Sequence, residues 1–128
     1  MSEKIILTTG VYDAIKEHLR RKKVSIHEEN RLHTELRTAQ QVLRRNLPED
    51  VVTVDRKVTI KDHTKKDEQE YIFVSSMKAK PQKNKYSILS DIALAAVGYK
   101  VGDIIKWPFK DGERTIEIMK VEPWIQIA

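Results

Sequence analysis

The sequence predicts an α+β fold in which a short antiparallel helical hairpin (residues 1–48) precedes an antiparallel sheet with one short helix packed on it (residues 49–128). Two observations predict this fold. Apolar residues recur at three- and four-residue spacing before residue 48, which is typical of helices, and at two-residue spacing from residue 51, which is typical of strands. Pro48 marks the boundary, because the residue before a proline disfavours the helical conformation.

The first predicted helix follows a short apolar segment at residues 5–7. Thr8 or Thr9 is suited to be its N-cap, because a threonine hydroxyl accepts a hydrogen bond from a free backbone N–H of the first turn. The apolar stripe has four-residue spacing and consists of Val11, Ile15 and Leu19. The pattern predicts a helix with one buried face.

Four consecutive cations follow this helix and form the basic cluster: Arg20, Arg21, Lys22 and Lys23. Cations at the C-terminal end of a helix interact favourably with the helix dipole, so a solvated helix end is one interpretation. Contact with phosphates or with an acidic protein surface is the other. Nucleic-acid-binding surfaces usually combine cations with exposed aromatic rings, and Tyr12 is the only aromatic residue before Tyr71, which makes phosphates the weaker alternative.

The second predicted helix begins at Ser25, because Ser25 and Glu28 have the spacing of a capping box. Its apolar positions are spaced four, three and four residues apart, as in the seam of a paired helix: Leu32, Leu36, Ala39 and Leu43. Leu47 and Pro48 are expected to end it. Two helices joined by a short loop predict an antiparallel hairpin.

Alternating apolar residues predict the first strands of the sheet. The pattern begins at residues 52–60, with a kink near residues 55–56, and resumes at residues 71–76. The charged residues 62–69 are expected to form a hairpin loop between these strands, and residues 79–85 a second exposed loop.

The last two predicted strands, residues 104–109 and 115–121, flank a turn that contains Asp111 and Gly112. An Asp-Gly pair between apolar runs is a strong hairpin signal. Pro108 predicts that the strand at residues 104–109 lies at an edge of the sheet, because proline has no backbone N–H to donate to a neighbouring strand.

The stretch at residues 87–107 predicts a strand, a short helix, a turn and a strand. Ser90 is expected to be the N-cap, and Asp91 places a carboxylate near the positive end of the helix dipole. Gly98 suits the left-handed C′ position and Tyr99 the packing of a Schellman motif, so the helix should have about seven residues. Residues 92–97 are six consecutive apolar residues, although a helix on a sheet buries only one face. Some of this surface is therefore expected to contact a partner.

Composition excludes several classes of protein. The chain has no cysteine, which excludes a disulfide framework and thiolate metal sites. It has no apolar run approaching 18 residues and no charged-then-apolar leader, so we expect no membrane span and no signal peptide. We also expect a cytoplasmic protein and a monomer. No cofactor is expected either. The histidines lack metal-binding spacing, and the four glycines form no phosphate-binding loop.

The run from Ile88 to Ile105, together with Trp107 and the turn at Asp111 and Gly112, resembles the C-terminal domain of the GreA/GreB transcript-cleavage factors. The resemblance covers roughly residues 51–124 and is closer still to the short, Rnk-like members of that family. It implies an FKBP-like fold for residues 49–128. It also implies a surface that grips the rim of the RNA polymerase secondary channel through Leu89, Ser90, Asp91 and Ile92. Family members usually have a proline where this chain has Asp91.

In the cleavage factors that this chain resembles, acidic residues at the tip of a long helical hairpin hold a second catalytic magnesium ion in the polymerase. Here each helix offers roughly 12 to 20 residues, or about 18–30 Å, and the tip is basic. Glu28 and Glu29 are the only acidic candidates, and the capping box already accounts for Glu28. We therefore expect no metal site and predict a non-catalytic regulator that competes with Gre-type factors without stimulating transcript cleavage.

Three alternatives remain open. The first is a small nucleic-acid-binding module that uses the basic cluster and binds with steep salt dependence. The second is a transcript-cleavage-type elongation factor, which would need Glu28 and Glu29 at a metal. The third is a prolyl isomerase, because the implied fold is FKBP-like, although fold likeness does not carry activity and the chain has few aromatic residues to line such a pocket.

Overall fold

The computed structural model describes residues 5–124 of the chain. In chain order the helices and strands are β1 (Ile6–Thr8), α1 (Thr9–Arg20), α2 (Ile26–Thr38), β2 (Gln40–Val42), β3 (Arg56–Asp62), β4 (Asp67–Val74), β5 (Lys85–Ser87), α3 (Asp91–Ala96), β6 (Ile104–Phe109) and β7 (Gly112–Pro123). Short 3-10 turns lie at Arg44–Asn46, Ser76–Lys78 and Pro81–Lys83. Within residues 5–124, no helix combines the length and apolar character needed to cross a membrane.

Both helices predicted before residue 48 are present, and both begin where their capping residues indicate. The Thr8 hydroxyl oxygen accepts a hydrogen bond from the Val11 backbone N–H at 3.4 Å at the start of α1. The Ser25 hydroxyl accepts from the Glu28 N–H at 3.2 Å and donates to a Glu28 carboxylate oxygen at 3.1 Å. The N-cap bond of Ser25 is therefore confirmed, whereas the Glu28 carboxylate bonds to the Ser25 hydroxyl and not to the Ser25 backbone N–H as in a full capping box. The antiparallel crossing of the two helices and the FKBP-like fold stay predictions.

The second helix ends at Thr38, so the prediction that it runs to Leu47 was wrong. Residues 40–42 instead form β2, which pairs in parallel with β1, and the Gln40 N–H donates to the Ile5 carbonyl at 2.9 Å. Leu43, expected on the helical seam, lies outside the helix and is 54% exposed. The reason is tertiary: β1 supplies backbone partners to residues 40–42, and these hydrogen bonds outweigh a local helical pattern.

The main sheet has five strands in the order β5-β4-β3-β7-β6. Neighbouring strands are antiparallel except for β5, which pairs in parallel with β4, so the expectation of a wholly antiparallel sheet was wrong. The kink before β3 is confirmed, because Asp55 has a φ of 62°. The hairpin of β6 and β7 is also confirmed, and Pro108 lies on β6, an edge strand, as predicted.

One face of this sheet forms a large part of the hydrophobic core. Its alternate residues are buried, namely Val58, Ile60, Phe73, Ile105, Trp107, Phe109, Ile116 and Ile118. The same cluster of buried side chains includes residues of α1, α2 and α3. Residues from both sides of the predicted boundary at residue 48 therefore share one continuous core. The division into two domains stays a prediction.

The helix α3 is more deeply buried than the sequence predicts. Residues 93–97 are each at most 1% exposed, so the expectation of surplus apolar surface on this helix was wrong. The reason is that α3 shares one core with the sheet and with apolar residues of the N-terminal segment, such as Leu7, Val11 and Ile15. At the end of α3, the Ile6 N–H donates to the Gly98 carbonyl at 3.1 Å, which ties β1 to this helix. The half-buried residues of this region lie at or before the first turn of α3, at residues 89–92.

The two ends of α3 differ in detail from the predicted caps. Ser90 occupies the N-cap position, but its hydroxyl donates to the Ser87 carbonyl at 2.7 Å instead of accepting from the helix. Gly98 has the expected left-handed φ of +86°. Its N–H donates to the Val52 carbonyl at 3.0 Å and the Tyr99 N–H to the Ala96 carbonyl at 3.1 Å, so the hydrogen bonds of a Schellman motif are replaced by a link to the preceding chain.

Candidate functional site

The four residues predicted to contact a partner, residues 89–92, lie together at the entry to α3, and each is half-buried. We call them the docking segment. Ser87 holds it in place: its hydroxyl oxygen accepts from the Leu89 N–H at 3.0 Å, and its carbonyl accepts from the Ser90 N–H at 2.9 Å. A further hydrogen bond of 2.7 Å joins the Ser87 and Ser76 hydroxyls. The start of the docking segment is thus held by hydrogen bonds to Ser87, which is itself bonded to Ser76.

His18, near the end of α1, connects the docking segment electrostatically with the N-terminal helices. Burial lowers the pKa of His18, Lys23 acts in the same direction, and Asp91 and Glu28 oppose the shift. Lys23 of the basic cluster and Asp91 of the docking segment, 68 positions apart in the chain, therefore both act on the His18 imidazole.

A polar cavity of about 220 Å³ lies beside Ile92, between α3 and the sheet. The Asp62 and Arg114 side chains form a 2.9 Å ion pair in its wall, and Asp62 also accepts from the backbone N–H groups of Thr64 and Lys65 at 2.9 Å each. Tyr71 lines the cavity, and burial raises the pKa of its hydroxyl. Tyr71 is the one aromatic ring among the described lining residues. This lining differs from the aromatic pocket that the prolyl isomerase alternative requires.

The basic cluster lies at the exposed turn between α1 and α2, and three of its four cations are in ion pairs. Arg20 contacts Glu17 at 2.6 Å and Arg21 contacts the same carboxylate at 2.8 Å. Lys22 contacts Glu29 at 3.1 Å. These pairs are largely solvent-exposed, so they stabilise the fold little, but they reduce the positive field that the cluster presents to a partner.

The acidic candidates at this turn are both engaged by side chains of the protein. Glu28 is fully buried and, besides its bond to Ser25, accepts from the Trp107 indole Nε1–H at 3.2 Å. Glu29 is the partner of Lys22. Among residues 5–124, no group of three or more His, Asp or Glu side chains is arranged to hold a metal ion.

The helix α2 is attached to β6 and to Tyr99 by three of its residues at helical spacing: Glu28, Arg31 and Glu35. Arg31 lies 5.3 Å above the Trp107 ring and donates to the Lys106 carbonyl on the edge strand. Glu35 accepts from the Tyr99 hydroxyl at 2.7 Å. The sequence patterns did not predict this contact surface, which we call the α2–sheet seam. Its only trace in the sequence is the three-and-four spacing of polar residues on a helix whose other face is apolar.

The α2–sheet seam also perturbs two ionisable groups. Burial raises the pKa of Glu35, while the Tyr99 hydroxyl and Arg31 oppose the shift. Burial also raises the pKa of Tyr99 well above its usual range, and the neighbouring Glu35 carboxylate acts in the same direction. Tyr99 therefore stays protonated and donates to Glu35 over the whole neutral pH range.

Residues 47–123 match the family model described as transcription elongation factor, GreA/GreB, C-terminal. The chain is 39% identical over 90 residues to transcription elongation factor GreA of Clostridium botulinum (strain Langeland), an alignment that covers 70% of this chain and 56% of that protein. The same factor of strain Eklund 17B is 35% identical over 91 residues, covering 71% and 57%. The chain thus spans little more than half the length of these curated relatives.

Two solved structures share the fold over nearly the whole chain. One is a prokaryotic transcription elongation factor GreA/GreB from Nitrosomonas europaea, with a TM-score of 0.68 and 24% identity. The other is Gfh1 of Thermus aquaticus, with a TM-score of 0.50 and 14% identity. Each alignment covers 94% of this chain and 99% of the other. At these identities the likeness concerns the fold alone.

Proposed function

This chain belongs to the GreA/GreB family of transcription elongation factors, and from that premise we propose that it binds RNA polymerase near the secondary channel through its C-terminal region. It acts there as a non-catalytic regulator that competes with Gre-type factors without stimulating transcript cleavage. The particular likeness to Rnk is part of this proposal. Regulation of nucleoside diphosphate kinase, which the name Rnk suggests, has no support at the level of residues and is not included.

The burial of Glu28 against Trp107 is the main support for the proposal that this protein does not stimulate transcript cleavage. A carboxylate that is fully buried and hydrogen-bonded to an indole is not available to coordinate a metal in another protein. Glu29 remains, but it is paired with Lys22 beside three further cations. A divalent cation prefers several oxygen ligands and is repelled by such a group of positive charges.

The reach of the helices supports the same proposal. α1 has 12 residues and α2 has 13, which gives lengths of about 18 and 20 Å at about 1.5 Å per residue. The α2–sheet seam also holds α2 against β6, so much of this helix is used within the protein and does not extend away from it.

The docking segment supports polymerase binding because it is half-buried yet already ordered. Ser87 and Ser76 hold its backbone, so little conformational entropy remains to be lost when a partner binds. Asp91 supplies the negative charge there, and the half-buried Leu89 and Ile92 supply apolar contact area.

Two alternatives have specific observations behind them. The curated relatives named elongation factor GreA favour a transcript-cleavage role, which predicts that Glu28 must leave Trp107 when the protein binds polymerase. The exposed basic cluster favours a nucleic-acid-binding module, but its ion pairs with Glu17 and Glu29 weaken that alternative.

The test uses purified RNA polymerase core and two assays. In the first, polymerase affinity is measured for the wild type, Ser90→Arg, Asp91→Arg and the control Glu68→Arg, which makes the same charge change as Asp91→Arg on the exposed, opposite face of the sheet. We expect only the two docking-segment variants to lose binding, and equal affinity of all four proteins would contradict the docking site.

In the second assay, backtracked elongation complexes should show no stimulated cleavage, and robust cleavage would favour the elongation-factor alternative.

A further inference from the structure

A second charged segment lies next to the docking segment. Residues 76–85, which we call the lysine loop, contain four lysines, and no acidic residue occurs between Ser76 and Ser90. Lys78, Lys80 and Lys83 are exposed, whereas Lys85 is half-buried with its ammonium group 4.9 Å from the centre of the Trp124 ring. Three cations therefore point to solvent beside a segment already proposed to bind a partner.

The lysine loop is ordered by its own backbone. Two 3-10 turns span Ser76–Lys78 and Pro81–Lys83. Lys80 and Lys85 exchange a pair of backbone hydrogen bonds of 2.7 and 3.1 Å, and Asn84 takes the left-handed conformation that closes this tight turn, with a φ of 60°. The cations are thus carried by a folded loop, so presenting them to a partner requires little ordering.

Met77, at the start of the lysine loop, is 93% exposed, the largest exposure among the large apolar residues described. Its position is held from both sides, because the neighbouring Ser76 hydroxyl bonds to Ser87 at 2.7 Å and the Lys78 N–H donates to the Ser75 carbonyl at 2.9 Å. A single exposed apolar residue is common. Met77, however, lies on a hydrogen-bonded turn. Its neighbour Ser76 bonds to Ser87, which holds the docking segment, and cations follow it in the chain.

We propose that Met77 and the lysine loop extend the docking surface and that the occupant is a protein surface with carboxylates around an apolar stripe. The Met77 thioether would pack on the stripe, and Lys78, Lys80 and Lys83 would face the carboxylates. Methionine is enriched at protein interfaces, and charge complementarity of this kind raises the association rate. The inference rests on the proposed function, in which RNA polymerase supplies this surface.

A nucleic acid is the less suitable occupant. The lysine loop itself contains no aromatic ring on which a base could stack, and the Trp124 ring that contacts it through Lys85 is half-buried. The ring that follows it, Tyr86, is half-buried and lies 5.1 Å from Tyr71 in an edge-on contact. An exposed methionine contributes to packing against a protein and contributes little to contacts with phosphates.

The experiment measures the Kd of purified RNA polymerase core for four proteins over a range of salt concentrations. The variants are Met77→Gln, the triple variant Lys78→Gln/Lys80→Gln/Lys83→Gln, and a control with the same charge change at other exposed lysines, Lys61→Gln/Lys106→Gln/Lys110→Gln. We expect Kd to rise about fivefold for Met77→Gln and about tenfold for the lysine-loop variant at low salt, with a flatter salt dependence in the latter. The control should remain within about twofold of the wild type.

The outcomes separate this inference from the proposed function. If the wild type binds polymerase and the lysine-loop and control variants are indistinguishable from it, the docking segment acts alone and the inference is wrong. If the wild type does not bind polymerase, the proposed function fails and the inference fails with it. Tight binding of wild type to a single-stranded RNA, lost in the lysine-loop variant, would assign the loop to nucleic acid and overturn the proposal.

Discussion

The buried carboxylate of Glu28 accepts a hydrogen bond of 3.2 Å from the Trp107 indole, although the two residues are 79 positions apart. Through this contact, a residue that caps α2 also attaches α2 to the edge strand of the sheet. The residue that a cleavage-factor role would place at a metal is thus part of the hydrophobic core.

Replacing Trp107 by Phe should lower the free energy of unfolding by about 2–4 kcal/mol, because the change removes the indole N–H and leaves a cavity next to a buried carboxylate. The double variant Glu28→Leu/Trp107→Phe should be less destabilised than the sum of the single variants by about 1–3 kcal/mol, since Glu28→Leu removes the acceptor of the bond and Trp107→Phe removes its donor. Urea unfolding of the four proteins measures this coupling. The exposed control Glu113→Gln should change stability by less than about 0.5 kcal/mol. Strictly additive effects of the two substitutions would contradict a direct bond.

Glu35 gives a prediction on pH. Burial raises the pKa of Glu35 in the folded protein above its usual 4.5. The Glu35 carboxyl group therefore contributes stability that is fully present below the pKa it has in the unfolded chain. This stability is lost as the pH rises through the pKa that Glu35 has in the folded protein. The amide of Glu35→Gln does not ionise and can still accept from the Tyr99 hydroxyl. As the pH rises from below 4.5 through the folded-state pKa of Glu35, the wild type should therefore lose stability relative to this variant. Urea unfolding at several pH values measures the difference. A pH-independent difference for Glu35→Gln would show that the carboxyl is not perturbed.

Gly98 gives a prediction on the packing of β1 against α3. Gly98 and Gly102 both have a positive φ, of +86° and +93°, but only at Gly98 would an added Cβ collide with neighbours, lying 2.7 Å from the Ile5 Cβ. Gly98→Ala should therefore cost about 2–4 kcal/mol, from backbone strain and overpacking together, and Gly102→Ala about 1–2 kcal/mol, from strain alone. Thermal or urea unfolding compares the two variants. Equal costs would mean that β1 does not press on Gly98 in solution.

The basic cluster gives a prediction that separates the two partner classes. Neutralising it with Arg20→Gln, Arg21→Gln, Lys22→Gln and Lys23→Gln should change stability by less than about 1 kcal/mol, because its ion pairs with Glu17 and Glu29 are largely exposed. If the docking segment binds polymerase, the affinity for polymerase core should change by about twofold or less. A large, salt-dependent loss of RNA binding in this variant would instead favour the nucleic-acid-binding module.

The sequence by itself determined the features that depend on a few neighbouring residues. Three such features are where the pattern predicts them: the N-cap of α2 at Ser25, the turn at Asp111 and Gly112, and the left-handed Gly98. The Ser25 cap and the Asp-Gly turn join atoms a few positions apart, and a positive φ is a local preference of glycine. The hydrogen bonds of Gly98, in contrast, go to the distant residues Val52 and Ile6.

The tertiary structure decided the features that join distant segments. A local helical pattern at residues 39–43 yields to strand pairing with β1, and the apolar residues of α3 are buried in a core that the N-terminal segment shares. Glu28 meets Trp107, Glu35 meets Tyr99 and Ser76 meets Ser87 across separations of 79, 64 and 11 residues. Sequence spacing carries no information on such contacts, because burial of apolar surface in a shared core brings these residues together.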